Sequence, residues 1–309
     1  MKLRPIEGEI FVIDKPLGWS SFHVVKKLRG TLTSRLRPMG IRKLKVGHAG
    51  TLDPLASGVM ILCTGRSTRS IDKLQAGVKE YIANVRLGAT TPSFDLEMPY
   101  DGFYPTEHIT KELVLETLKH FKGAIDQVPP TYSACKVAGE RAYMMARNGT
   151  AVELKPKRLV IDEIELTDYQ PDVELPEADG RKAIDLELRI VCSKGTYIRA
   201  LARDIGQALQ SGAHLSALRR TRVGDYRVEN ALTIPQLAED ICVSPMEILD
   251  EEGNGLDVAP LAADRDFARM DKADILPFFQ RPEYRNEQRM ADRDEIGDNN
   301  LIVDEQQNN

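Results

Sequence analysis

A glycine-rich segment, residues 47–58 (GHAGTLDPLASG), constrains the fold of this chain more than any other part of it. The segment separates two apolar stretches and holds a single charged side chain, Asp53. Its glycines permit backbone conformations and close approaches that a Cβ atom would obstruct, and Pro54 restricts Asp53 to extended geometry. We therefore predict a stiff loop that holds one carboxylate in place. Taken alone, an Asp-Pro step also begins ordinary turns in which the aspartate caps backbone amides.

Length and composition indicate a globular protein. With 309 residues, 42% of them hydrophobic, the chain can bury a sizeable core in one large domain or two smaller ones. Glu7 and Glu9 precede any apolar run, which argues against a secretory signal. No run approaches the roughly 18 uncharged apolar residues that a membrane helix needs. We expect a soluble, cytoplasmic protein without membrane association.

The cysteines and histidines give no support to metal chemistry. Four cysteines and five histidines are scattered without a Cys-x-x-Cys pair or a short ligand spacing. This distribution argues against a zinc site and against a disulfide framework. We expect a metal-free protein whose cysteines are reduced and partly buried.

The net charge of −5 conceals a strong asymmetry. Residues 1–230 contain 35 lysines and arginines against 28 acidic residues, whereas residues 231–309 contain 7 against 19. Residues 1–50 alone contain 11 against 3, a bias that suits the phosphate backbone of RNA. A solvated basic loop has the same composition, so the pattern alone does not decide between the two.

Hydrophobic periodicity predicts strands and helices that interleave irregularly. The first elements are a strand over 9–13, a helix that opens at Ser20 or Ser21 and runs through Arg29, and a mobile basic loop over 31–45. The later predicted elements are strands over 59–63, 81–87, 158–166 and 183–192, and helices over 71–74, 111–122 and 196–209. No strict βαβ alternation with phosphate-binding glycines occurs. The pattern predicts an α+β protein with a mixed, largely antiparallel sheet flanked by helices.

The glycine-rich segment resembles the GHxGTLDPxAxG motif of the TruB family, which includes bacterial tRNA pseudouridine-55 synthase. Further segments similar to that family extend the resemblance over about residues 8–230. They are 8–21 (GEIFVIDKPLGWSS), 79–88 (KEYIANVRLG), 129–136 (PPTYSACK), 193–199 (SKGTYIR) and 218–221 (LRRT). The resemblance implies the pseudouridine synthase fold in a catalytic domain over 1–230. It also implies isomerisation of uridine to pseudouridine at position 55 in the T-loop of tRNA, with no cofactor and no obligatory protein partner.

The resemblance assigns the catalytic role to Asp53. An aspartate is ionised at neutral pH, so it could attack the sugar covalently or remove a sugar proton as a base, and the sequence leaves both routes open. The target base must leave its stack to reach an enclosed carboxylate. The resemblance implies that His48 contacts the displaced nucleotide, that Tyr81 is the stacking platform and that Leu218 packs beneath the uracil.

A second pair of residues lies beyond the strand predicted over 183–192. Tyr197 and Arg199 are two apart, so they share one face if that strand continues through them. A guanidinium there could pair with Asp53. The resemblance implies that Arg199 orients the carboxylate and keeps it ionised, and that Tyr197 contacts the substrate.

Several of these positions also have an ordinary structural interpretation. Tyr81 and Leu218 fit core positions on amphipathic strands. Lys15, Arg219 and Arg220 are candidates for phosphate contacts or for support of the site, but surface cations are usually just solvated. Local pattern alone does not separate these interpretations.

The chain departs from the family pattern in two places. Where relatives often show Thr-Asp-Thr-x-Asp, residues 90–95 are TTPSFD, and only Asp95 is kept. Many relatives carry a C-terminal PUA RNA-binding domain, but residues 231–309 are acidic and poor in alternating strands. We predict a short, acidic, partly disordered extension over 231–309 without a PUA domain.

Three other functions compete with a tRNA T-arm isomerase. A guide-RNA-dependent pseudouridylase would be expected to bring a PUA domain and partner proteins. A non-catalytic tRNA-binding or folding module would keep the fold without turnover. A carboxylate-based glycosidase needs a second catalytic carboxylate, which is not evident. The combination of Asp53, Tyr81, Tyr197 and Arg199 favours an enzyme.

Overall fold

The computed structural model describes residues 2–133, 136–137, 140–141, 154–175, 180–249, 253–258 and 260. The helices in these ranges are α1 (Ser21–Leu36), α2 (Ile71–Ala76), α3 (Lys111–Lys119), α4 (Ile198–Ala208) and α5 (Ile234–Val243). The strands are β1 (Ile10–Lys15), β2 (Val46–His48), β3 (Ala56–Thr64), β4 (Lys79–Leu87), β5 (Ala89–Thr90), β6 (Gly102–Phe103), β7 (Gly123–Gln127), β8 (Lys136–Val137), β9 (Glu140–Arg141), β10 (Lys157–Glu174), β11 (Lys182–Cys192), β12 (Ala213–Val223), β13 (Tyr226–Arg227), β14 (Met246–Leu249) and β15 (Gly255–Val258).

Nine of the described strands form one mixed sheet. Its order is β1-β3-β12-β4-β11-β10-β7, with β2 beside β3 and β13 beside β12. The pairing of β3 with β12 is parallel, and the other pairings in this sheet are antiparallel. Buried and half-buried residues alternate strictly along β4, as its hydrophobic period predicted. The predicted α+β class with a largely antiparallel sheet is confirmed.

Two apolar cores flank the segment 47–58. In the first, α3 and α4 pack on β4, β11 and β12, and Leu52 and Ala56 of the segment belong to this core. In the second, α1 and α5 pack on β1 and β3, and it includes Val46 and Leu62. The glycine-rich loop is thus anchored by apolar side chains on both sides. Within the described ranges, no helix is long and apolar enough to cross a membrane.

The predicted basic loop over 31–45 is wrong for its first six residues, because α1 continues to Leu36. Leu28, Leu32 and Leu36 are fully buried in the second core. Their spacing of four places them on one helix face. A 3₁₀ turn that contains Pro38 follows and ends the helix.

Arg35 fastens the chain beyond residue 230 to α1. This side chain is 1% exposed and donates hydrogen bonds to three backbone carbonyls, those of Ile241, Ser244 and Val258. Leu237 and Ile241 of α5 complete the second core. The domain boundary at 230 and the lack of a PUA domain stay predictions, and residues 261–309 lie outside the described residues.

Candidate active site

The backbone beside Asp53 is fixed by a side chain from α1. The Oγ atom of Ser21 accepts a hydrogen bond from the amide of Leu52 at 2.9 Å and donates one to its carbonyl at 3.0 Å. Leu52 itself is 3% exposed and belongs to the first core. The residue that precedes Asp53 is therefore held through both of its backbone polar groups.

Arg220 fixes the same loop from β12. This side chain is 2% exposed and donates to three carbonyls, those of Gly50 (3.2 Å), Thr51 (3.2 Å) and Val59 (2.8 Å). The strands β3 and β12 approach closely at Gly58, where the backbone has φ 110°. A Cβ atom on Gly58 would lie 2.1 Å from the Arg220 carbonyl oxygen, so this position requires glycine.

Arg199 holds the Asp53 carboxylate. Its Nε atom lies 2.9 Å from Oδ2 of Asp53 and 3.6 Å from Oδ2 of Asp95. The Asp53 side chain is 40% exposed, whereas those of Arg199 and Asp95 are 7% and 6% exposed. The ion pair suggested by the sequence is present. The Asp53 carboxylate is therefore accessible to a ligand, whereas the side chains of Arg199 and Asp95 that support it are buried.

The other guanidinium nitrogens of Arg199 are also engaged. They donate to the carbonyl of Ser93 at 3.1 Å and to that of Tyr132 at 3.0 Å. Burial disfavours the charge on Arg199, but Asp53 and Asp95 outweigh this effect, so its pKa is raised. The guanidinium is therefore a fixed positive charge that ties Asp53 to two other segments.

Tyr197 and Arg199 do not lie on a continuation of the strand; the helix predicted over 196–209 is present instead. The strand β11 ends at Cys192, Tyr197 is the N-cap residue of α4, and Arg199 lies in the first turn of that helix. Gln127 is 1% exposed; its Oε1 accepts from the Tyr197 amide at 2.9 Å and its Nε2 donates to the Tyr197 carbonyl at 3.1 Å. A clamped helix start, rather than a strand face, positions Arg199.

The remaining residues implied to contact substrate lie on three strands around the loop. Tyr81 on β4 is 8% exposed, and burial raises the pKa of its hydroxyl, so the ring stays neutral. Leu218 on β12 is half-buried and pairs with Ala56 at the start of β3. His48 is the last residue of β2, pairs with Leu62 and is half-buried. The structure thus brings Tyr81 and Leu218 to the wall beside Asp53.

Two of the candidate cations are engaged within the fold. Lys15 is fully buried, and its Nζ donates to the carbonyls of Trp19 at 2.6 Å and Pro16 at 3.0 Å. Burial lowers the pKa of Lys15 to about 7. Arg219 pairs with Asp14 at 2.7 Å. A buried Lys15 cannot reach a phosphate, so its position fits a supporting role.

Sequence reasoning missed four residues that hold the site together. They are Ser21, Ser93, Gln127 and Tyr132, which act through backbone groups or present their own carbonyls. Ser21 and Tyr132 lie in segments that resemble the family, and the helix start predicted at Ser20 or Ser21 is confirmed, with Ser20 as the N-cap. The described residues contain no group of three His, Cys, Asp or Glu side chains that could hold a metal ion.

Two solved structures with a similar fold are protein complexes that contain Cbf5 and Nop10. The archaeal box H/ACA sRNP Nop10-Cbf5 complex matches with a TM-score of 0.51 and 25% identity, over 78% of this chain and 55% of that one. A Cbf5-Nop10-Gar1 complex matches with a TM-score of 0.53 and 22% identity, over 87% of this chain and 82% of that one. The second likeness supports the fold alone.

Sequence comparison defines the class. Residues 37–198 match the model of the TruB family pseudouridylate synthase N-terminal domain, and residues 199–257 match that of the tRNA pseudouridylate synthase B C-terminal domain. The family match therefore defines the chain as a pseudouridylate synthase. Two curated relatives are named tRNA pseudouridine synthase B. The one from Bacteroides thetaiotaomicron is 57% identical over 80% of this chain and 98% of its own length, and the one from Flavobacterium johnsoniae is 48% identical over 76% and 97%. The chain belongs to the TruB family.

Proposed function

We propose that this protein isomerises uridine to pseudouridine at position 55 in the T-loop of tRNA, with Asp53 as the essential reactive group. One observation carries the proposal: the half-exposed carboxylate of Asp53 is fixed by the buried Arg199 beside Tyr81 and Leu218. The names of the relatives support tRNA as the substrate. The T-loop position is inferred from the motif resemblance.

The reaction requires one positioned carboxylate from the protein as its reactive group. The bond between C1′ of the ribose and N1 of the uracil breaks, and a bond between C1′ and C5 forms. The hydrogen on C5 leaves to solvent and N1 gains one, so no oxidant, reductant or external energy is consumed. Asp53 acts either as a nucleophile on the sugar or as a base on a sugar proton, and both routes begin with an ionised oxygen at the ribose.

The surrounding residues receive and orient the flipped nucleotide. Base flipping costs stacking energy, which contacts within the pocket must offset. Tyr81 offers a neutral ring for stacking, and Leu218 closes the pocket beneath the uracil. His48 contacts the RNA where the nucleotide has left its stack, and Tyr197 contacts the substrate from the start of α4. Arg199 holds the carboxylate stationary through its contact of 2.9 Å with Oδ2 of Asp53.

Tritium release tests this proposal. The purified protein alone, incubated with a tRNA transcript that carries tritium at C5 of its uridines, should release label to water. Asp53→Asn should lower kcat by at least about 10³-fold while tRNA binding persists, since the amide is neither a nucleophile nor a base. The matched control is Asp225→Asn, an exposed aspartate in the turn between β12 and β13, which should leave turnover unchanged. Turnover by a folded, tRNA-binding Asp53→Asn variant would disprove the proposal.

A further inference from the structure

A strongly basic surface lies outside the pocket. Residues 15–52 contain nine lysines and arginines and no aspartate or glutamate. Four of these cations, which we call the basic segment, are exposed and follow α1 closely: Arg37, Arg42, Lys43 and Lys45. None of the four forms an ion pair with another residue in the described ranges. Their charge is therefore available to a partner.

The backbone that carries these cations is ordered. Leu44 and Val46 are each 7% exposed and pack into the second core, so Lys43 and Lys45 alternate with buried residues and project outward. The Lys45 carbonyl accepts a hydrogen bond from the Gly65 amide at 2.9 Å. A pinned backbone lowers the entropy lost when these side chains bind a ligand.

The basic segment leads directly to the site. Lys45 immediately precedes β2, which ends at His48. At about 3.3 Å per residue, Lys45 lies roughly 10 Å from His48, and Arg42 lies at most about 20 Å away. Because β2 runs antiparallel to β3, Lys45 is at the end of β2 that points away from the Asp53 loop. The cations thus continue outward from the residue proposed to contact the displaced nucleotide.

We propose that the basic segment binds backbone phosphates of the RNA stem that flanks the target loop. This inference rests on the proposed function, since it takes the uridine in the pocket to be part of a tRNA. A nucleic-acid strand advances about 3.4 Å per nucleotide along a helix, so 10 to 20 Å corresponds to roughly three to six nucleotides from the target. A surface of exposed cations without a neighbouring acid suits non-directional phosphate contacts, which position an RNA without reading its sequence.

Salt dependence of tRNA affinity tests the inference. Phosphate contacts release condensed counterions, and each contributes roughly 0.7 to 0.9 to the slope of log K against log salt. The quadruple variant Arg37→Gln, Arg42→Gln, Lys43→Gln, Lys45→Gln should lower that slope by about 3 if all four cations bind phosphates. Its Kd for an unmodified tRNA transcript at 0.1 M KCl should rise by about 10- to 100-fold, whereas kcat at saturating tRNA should stay at the wild-type value.

Two further variants make the result decisive. Arg37→Lys, Arg42→Lys, Lys43→Arg, Lys45→Arg keeps all four charges and should keep the wild-type Kd, because phosphate contacts of this kind need charge rather than geometry. A second charge-neutralised variant removes four exposed cations on α3, the turn after it and the start of β11: Lys111→Gln, Lys122→Gln, Arg181→Gln and Lys182→Gln. This control should retain most of the affinity and slope.

The outcomes separate this inference from the proposed function. The inference is overturned if the variant with the neutralised basic segment keeps the wild-type Kd and slope. It is also overturned if the control variant at Lys111, Lys122, Arg181 and Lys182 loses as much tRNA affinity, because that result would indicate a general charge effect. In both cases wild-type tritium release leaves the proposed function standing. Absence of release by the wild-type protein contradicts the proposed function instead, and the Kd series still decides whether the basic segment binds RNA.

Discussion

At the scale of single residues, Arg199 holds the carboxylate that we propose to be the reactive group. Its guanidinium contacts two carboxylates and two backbone carbonyls, so its position is overdetermined. Sequence reasoning found Asp53 and Arg199 because both lie in motifs with distinctive residue types. The carbonyls of Ser93 and Tyr132 could not be found in that way, because a backbone acceptor is present at every residue.

Replacement of Arg199 should lower both turnover and stability. We expect Arg199→Gln to lower kcat by at least about 100-fold and to destabilise the fold by about 3 kcal/mol, because the buried Asp95 loses its cation. Without the guanidinium, the Asp53 carboxylate loses the contact that holds it in place. Tritium release at saturating tRNA, with urea unfolding of the same samples, checks both effects.

Arg86→Gln is the matched control for that experiment. It breaks an ion pair of 2.7 Å with Asp185 whose two side chains are 20% and 18% exposed, on β4 and β11. This variant should lose stability while kcat stays at the wild-type value. An Arg199→Gln variant with wild-type kcat would show that the guanidinium does not position Asp53 for the reaction.

At the scale of elements, periodicity predicted β1, β3, β4, β10 and β11, but it missed β12, the strand that carries Leu218 and Arg220, and it ended α1 too early. The alternation in β4 and β11 is visible because one face of each strand is buried. The last turns of α1 were missed because polar residues at 31 and 33–35 interrupt the leucine row, and the helix is completed by packing against α5. The helix predicted over 196–209 is confirmed as α4, and the Gln127 side chain, distant in sequence, holds its first backbone groups.

The buried Arg35 should be essential for the attachment of α5 and β15 to α1. Arg35→Met leaves the carbonyls of Ile241, Ser244 and Val258 without this donor, which should lower the free energy of unfolding by about 2 to 4 kcal/mol. Urea denaturation followed by circular dichroism measures the loss. The exposed Arg37→Met variant should change stability by less than about 0.5 kcal/mol. A similar loss in both variants would contradict the assigned role of Arg35.

At the scale of the whole molecule, two buried lysines link stability to pH. Burial lowers the pKa of Lys15 to about 7 and that of Lys79 to about 8, against an ordinary value of 10.5. At a pH between the pKa of each lysine in the folded protein and the ordinary pKa of 10.5, the unfolded chain binds more protons than the folded protein. Stability contributed by these groups therefore rises with pH in that window. Burial raises the pKa of the Cys63 and Cys192 thiols to about 11, which opposes the rise above about pH 9.

The free energy of unfolding should accordingly increase between pH 7.5 and pH 8.5. Lys15→Met should reduce this increase by up to about 1 kcal/mol, because a single proton difference contributes about 1.4 kcal/mol per pH unit. Urea unfolding at both pH values measures the difference. Lys122→Met, at an exposed position, should keep the wild-type increase. Parallel pH curves for the wild type and Lys15→Met would show that Lys15 titrates alike in the folded and unfolded states.

The arrangement of the elements also explains how the Asp53 loop is fixed in place. The loop lies between two cores and receives hydrogen bonds from α1 and from β12, so its rigidity is a property of the assembled fold. The sequence predicted stiffness from Pro54 and the glycines alone. The hydrogen bonds of Ser21 and Arg220 to the loop backbone depend on how the elements pack together. Local sequence patterns do not predict that packing.

A map of pseudouridine in one unmodified tRNA transcript tests the central claim most directly. The transcript is incubated with purified wild-type protein or with Asp53→Asn, and each uridine is then scored at single-nucleotide resolution. We predict one pseudouridine, at position 55, formed by the wild type and not by the variant. Modification at another uridine, or at position 55 by Asp53→Asn, would contradict the account.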